Sequence, residues 1–169
     1  MRVLSRDDRE GAIKVRVENA DDLWHLHNVI ERDDLVRAST YRREEAAADK
    51  IRPERMEKVR VTLGIRVEAT EFHDFTDRMR IAGTIVEGPQ DLGRHHTLNV
   101  GVGDDLTVAK EWRPMQLRRI EEAVAAAQQP QVTFVSIDDE EAFVAQLRQY
   151  GVREVATGEL TVSYRRDRS

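Results

Sequence analysis

The segment GAIKVRVEN alternates cleanly, with Ile13, Val15 and Val17 on one side and Lys14, Arg16 and Glu18 on the other. That period of two predicts a half-buried strand. Asn19 then offers a helix cap and Asp22 an acidic first turn, and Leu23, Leu26 and Ile30 follow at three- and four-residue steps. The spacing predicts an amphipathic helix. LVRAST starts a further strand. From Val59 to Glu68 the alternation is unbroken: Val59, Val61, Leu63, Ile65 and Val67 face one way and Arg60, Thr62, Arg66 and Glu68 the other. This is the clearest strand in the chain.

Met79, Ile81 and Ile85 mark the next strand, within which Gly83 permits a bend or a close backbone approach. EGPQDLG is turn chemistry. HHTLNVGV and DLTVAKEW supply two shorter strands, and the Gly103, Asp104 and Asp105 cluster between them reads as a hairpin turn. After Pro114, Leu117, Ile120 and Val124 define a helix face that Pro130 terminates. Beyond it QVTFVSI, DDEEAFVAQLRQYG and VREVATG read as strand, helix and strand, with the acidic run Asp138 to Glu141 at the helix N terminus. The expected organisation is one domain over residues 1–127, a linker at 128–130, and at 131–169 the start of an α/β domain cut short. Five to six strands with an inserted and a trailing helix predict a mainly β, strongly bent antiparallel barrel, and the pattern alone fits an Sm-like or an OB-like arrangement.

Composition changes this picture in one place. The 169 residues carry 27 basic and 32 acidic side chains, a formal charge of -5, yet Arg37 to Arg60 holds eight Arg or Lys against five Asp or Glu. A basic connection between two strands lets an acidic protein reach a phosphate backbone locally; a solvated loop is the plainer reading. The chain has no cysteine, which excludes disulfides, thiolate metal sites and cysteine nucleophiles. Acidic residues interrupt the N-terminal segment before any long apolar run, so neither a signal peptide nor a membrane span is expected, and a cytoplasmic location is.

Other chemistry is weaker. His25 and His27, and the adjacent His95 and His96, lack the spacing of a helical ligand pair, so no metal is expected there and Trp24, His27 and His96 read as packing or hydrogen-bonding residues. Asp7, Asp8, Asp21, Asp22, Asp33 and Asp34 are carboxylates that a divalent-metal nuclease would need, but a helix start and solvent turns account for the pairs. Gly101, Val102 and Gly103 lack the Lys and Ser of a phosphate-binding loop. Trp112 reads as a packing residue, with a domain interface as the alternative.

In order along the chain, NADDLWHLHNVIERDDLVRAST, VRVTLGIRVEATEF, MRIAGTIVEGP, GRHHTLNV and LTVAKEW resemble the N-terminal domain of the Pelota family, ribosome-rescue factors related to the class I release factors. The resemblance covers most of residues 1–127 and implies an Sm-like domain with a loop that enters the decoding region of a stalled ribosome. It places that loop on Tyr41 to Lys58, and implies phosphate contacts by Arg42, Arg43, Lys50, Arg52, Arg55 and Lys58, with Arg37 and Arg60 supporting the surface. It further implies a middle and a C-terminal domain, and as partners the ribosome, an elongation factor 1 alpha GTPase and an ABC-type recycling ATPase. The release factors' Asn-Ile-Lys-Ser and Gly-Gly-Gln sequences do not occur in this chain, which fits mRNA surveillance and ribosome recycling without peptide release. No cofactor is implied. The alternative is an RNA endonuclease acting on stalled mRNA, and only that reading calls for a divalent metal.

Overall fold

A computed structural model describes residues 1–43, 58–126, 131–138 and 140–159. They form two compact units, Met1–Ala127 and Gln128–Ser169.

The first unit begins with β1 (Arg2–Asp7) and β2 (Ala12–Arg16), then α1 (Ala20–Val29), β3 (Leu35–Arg43), β4 (Lys58–His73), β5 (Arg78–Glu87), β6 (His95–Gly101), β7 (Asp105–Ala109) and α2 (Pro114–Ala126). All pairings are antiparallel, in the order β1-β2-β7-β3-β4-β5-β6. This is the mainly β, antiparallel domain with an inserted and a trailing helix that the periodicity predicts. The strand β1 was not legible in advance. It is an edge strand with almost every position in solvent, so it carries no apolar alternation.

β4 organises the unit. Over Lys58–Arg66 it pairs with β3, and from Gly64 onward with β5, so one strand of 16 residues serves both neighbours. Two register shifts, at Gly64/Ile65 and Val67/Ala69, bend it between those roles. Gly83 sits against the second: a Cβ there would lie 2.0 Å from the Arg66 carbonyl oxygen, so the close approach the sequence suggests is real. The inward faces of the strands bury Val15, Val36, Leu63, Ile65, Met79, Ile81, Leu98, Leu106 and Val108, and α1 closes this core with Leu23, Leu26 and Val29. α2 adds Ile120 and Ala123.

The start of α1 follows from its cap. Asn19 Oδ1 accepts from the Asp22 amide at 3.1 Å, and Asp22 Oδ2 accepts in return from the Asn19 amide at 3.2 Å, a capping box. Its end is held by Lys110, whose buried Nζ donates to the Val29 carbonyl at 3.0 Å, where the helix dipole favours a cation. Arg16 and Asp105 face each other in the β2–β7 register and join at 2.6 and 2.9 Å.

Two expectations need correction. The turn at Gly103 and Asp104 is not a hairpin, because β6 and β7 do not pair. The bonds from the Val17 amide to the Asp104 carbonyl and from the Gly103 amide to the Val17 carbonyl tie it to the end of β2, and β7 continues between β2 and β3. In the second unit the residues expected to form a helix are a strand. β8 (Thr133–Ile137), β9 (Glu141–Arg148) and β10 (Gly151–Glu159) make a three-stranded antiparallel sheet in the order β10-β9-β8. Phe143, Val144 and Leu147 are spaced as on a helical face while Phe143, Ala145 and Leu147 share one side of a strand, and hydrogen bonds to strands on both sides decide the matter. Asp138 Oδ1 still accepts two amides, those of Glu140 at 2.9 Å and Glu141 at 2.8 Å, but it does so in the turn entering β9. Those two bonds, Glu140's first, hold the Asp138 carboxyl below its ordinary range. The linker expected at 128–130 lies outside the described residues.

Candidate nucleic-acid interface

The basic connection leaves the sheet from a fully paired ribbon. β3 and β4 stay in register to their ends, through Tyr41 opposite Arg60, Arg42 opposite Val59 and Arg43 opposite Lys58. Both strands are therefore carried out to the root of residues 44–57 by ladder bonds, which gives a connection of that length a fixed base. Arg42, Arg43 and Lys58 are placed by this backbone register. Lys50, Arg52 and Arg55 lie outside the described residues. Arg60 is exposed on β4.

Arg37 occupies a different setting. It is the third residue of β3, and its guanidinium grips Glu87 at the end of β5 through Nε at 2.6 Å and Nη2 at 2.9 Å, with Glu10 at 3.3 Å on Nη1. The hydrogen bond to Glu87 raises the Arg37 pKa, and the same bond lowers that of Glu87. This side chain is committed to a bidentate clamp between β3 and β5. Because the Glu87 carboxyl is depressed in the fold, its contribution to stability is complete above the unfolded value of 4.5 and is lost as pH falls through the lower folded value. Glu87→Gln should therefore lower the urea midpoint at pH 7 and differ progressively less from the wild type as pH falls below 4.5. An equal deficit at both pH values would contradict the assignment.

Three of the six carboxylates that a nuclease would gather are engaged separately. Asp7 accepts the Arg9 amide at 2.9 Å, Asp22 serves the α1 cap, and Asp34 accepts Lys110 Nζ at 2.7 Å and the Glu31 amide at 2.8 Å. Among the described residues, no three His, Asp or Glu side chains converge on a point that would hold a metal ion. His27 Nδ1 lies 3.0 Å from the Thr70 hydroxyl and His96 Nε2 3.4 Å from that of Thr40, the hydrogen-bonding roles expected of both. Trp24 lies under the Arg119 guanidinium. Trp112 packs against the core and donates Nε1 to the Gly11 carbonyl at 2.6 Å. No described helix is long and apolar enough to cross a membrane.

Among the described residues, the exposed Arg60 and the backbone of Arg42, Arg43 and Lys58 lie at the end of a paired β-ribbon. One feature of the ribbon escaped the sequence reading: Tyr41 is 66% exposed. Its position two residues after the outward Ser39 was the available signal.

Comparison with known proteins gives a consistent result. A family model for the Pelota N-terminal domain matches residues 1–124. The protein pelota homolog of Methanothrix thermoacetophila is 47% identical over 158 residues, which cover 92% of this chain and 45% of that protein. The chain thus spans a little under half the length of such relatives. Among solved structures, a ribosome-bound archaeal Pelota with ABCE1 matches at a TM-score of 0.64 and 37% identity, over 94% of this chain and 46% of that one. The Thermoplasma acidophilum Pelota protein matches at a TM-score of 0.68 and 25% identity, over 93% of this chain and 44% of that one.

Proposed function

The chain belongs to the Pelota family, and from that premise we propose that its Sm-like first unit recognises stalled ribosomes through the β3–β4 connection, in support of mRNA surveillance and ribosome recycling. The observation that carries this reading is the register of β3 against β4, which sets the strand ends of the Arg37 to Arg60 stretch, with its eight Arg or Lys against five Asp or Glu, on one paired ribbon in an otherwise acidic chain. A relative 37% identical over nearly the whole of this chain is known bound to the ribosome together with ABCE1, which supports the same setting here.

Arg42, Arg43, Lys50, Arg52, Arg55 and Lys58 meet rRNA or mRNA phosphates in the decoding region, and Arg60 extends that surface along β4. Arg37 takes a positioning part, since its clamp on Glu87 fixes β3 against β5. The contacts are electrostatic and carry little base specificity. No peptide release is involved. The ABC-type ATPase and an elongation factor 1 alpha GTPase act with the whole protein, in the cytoplasm, and the second unit is the beginning of the domain that follows the ribosome-binding one.

Cosedimentation of the chain with purified archaeal ribosomes stalled with an empty acceptor site tests the reading. Replacing Arg42, Arg43, Arg52 and Arg55 with Ala together should abolish most of the bound fraction, and the remaining binding should lose much of its salt dependence. Equal binding by this variant and the wild type at the same salt would remove the connection from recognition.

A further inference from the structure

The alternation that turns Val36, Ala38, Leu63 and Ile65 into the core turns Ser39, Tyr41, Arg60 and Thr62 out. These four residues form two facing pairs on one side of the β3–β4 ribbon. Tyr41 stands opposite Arg60, and Ser39 stands opposite Thr62 with their hydroxyls 3.4 Å apart. Tyr41 is 66% exposed, so its ring face adds little to folding. A ring held on a rigid strand, beside a guanidinium and a pair of hydroxyls, has little freedom left to lose on binding. Among the described residues, Glu87 and Glu10 near this ribbon are both bonded by Arg37, and Arg60 brings a positive charge to the outer face.

We propose that this face is a single-stranded RNA platform, on which Tyr41 stacks against one unpaired base while Arg60 contacts the adjoining phosphate. Every base offers a π-face, so the stacking tolerates any sequence, and a guanidinium beside the ring supplies the charge that holds the backbone. The Ser39 and Thr62 hydroxyls are placed to bond a ribose 2′-hydroxyl, which only RNA presents. The proposal deepens the reading above, because it names unpaired RNA as what the root of the ribbon meets.

The test uses the 169-residue chain and a labelled, unstructured RNA of roughly ten nucleotides, within the length one such surface covers, followed by fluorescence anisotropy at low salt. Tyr41→Leu should weaken binding about tenfold, the scale of one lost base stack, while Tyr41→Phe and Tyr41→Trp bind like the wild type. Arg60→Ala should weaken binding and flatten its salt dependence. Unchanged unfolding midpoints would confirm that the variants are folded, as an exposed ring leads one to expect. Wild-type affinity in Tyr41→Leu, or no saturable binding by the wild type, would overturn the platform. So would a Tyr41→Leu variant that loses ribosome binding but keeps the oligonucleotide, since Tyr41 would then meet a protein surface. A wild-type chain that binds the oligonucleotide in this pattern but not the stalled ribosome would overturn the earlier reading and leave the platform standing.

Discussion

Replacing Lys110 with Met should lower the stability of the first unit by about 3 kcal/mol, the cost of breaking a buried ion pair from one side. Lys110 is only 4% exposed at its side chain and sits where three elements meet. Its Nζ donates to Asp34 Oδ2 at 2.7 Å, to Glu31 Oε2 at 3.1 Å and to the Val29 carbonyl at the end of α1 at 3.0 Å, and it lies 5.9 Å from the Trp112 ring centre. Met keeps most of the aliphatic stem, so the loss isolates the charge. What remains is a nearly buried Asp34 carboxylate, a helix-end carbonyl without its donor, and Glu31 close by. The urea midpoint should fall with an unchanged slope, and the melting temperature by roughly 10 °C. Adding Asp34→Asn should restore part of the loss, because an amide oxygen can still accept the Glu31 amide. Independent, additive effects of the two substitutions would show that the pair is not coupled.

Asp22→Ala should cost a similar amount, about 3 to 4 kcal/mol. One carboxylate oxygen here accepts from the Glu18 amide at 2.8 Å, from the Asn19 amide at 3.2 Å and from the Met1 ammonium at 2.7 Å. Asp22 and Met1 are each 1% exposed, so water cannot replace the lost acceptor. Alanine would leave two helix-entry amides unmatched and the buried ammonium with only its longer contact to Glu18 Oε2 at 3.6 Å. Amide hydrogen exchange should report this first in α1, with protection lost through Leu26 before the β4–β5 ladder opens. A uniform loss across both would place the role of Asp22 in the whole core rather than in the helix entry.

The strands and the first helix were legible because their signals are local. The unbroken run at Val59 to Val67 has one reading as a strand, and Asn19 with Leu23, Leu26 and Ile30 has one reading as a capped helix. Where local signals were ambiguous the reading went astray. Phe143 and Leu147, four residues apart, suit either period, and the acidic run before them serves a turn as well as it would a helix. β1 gave no signal because an exposed edge strand has no inward face to alternate.

The candidate site divides along the same line. A basic excess between Arg37 and Arg60 is visible in composition, but the partner of Arg37 lies 50 residues away and could not be read from its neighbours. Lys110 was likewise unmarked, since its partners Glu31 and Asp34 come from the connection between α1 and β3, 79 and 76 residues away. Tyr41 sat within the basic stretch as one uncharged residue, and only the register against Arg60 gives it a surface to share.

The central claim is that the β3–β4 connection enters the decoding region of a stalled ribosome. An electron cryo-microscopy map of the chain bound to purified archaeal ribosomes with an empty acceptor site measures this directly. The account predicts density for residues 44–57 against the decoding rRNA, with the β3–β4 ribbon leading into it. Density that seats the first unit elsewhere, or turns another edge of its sheet toward the decoding region, would contradict it.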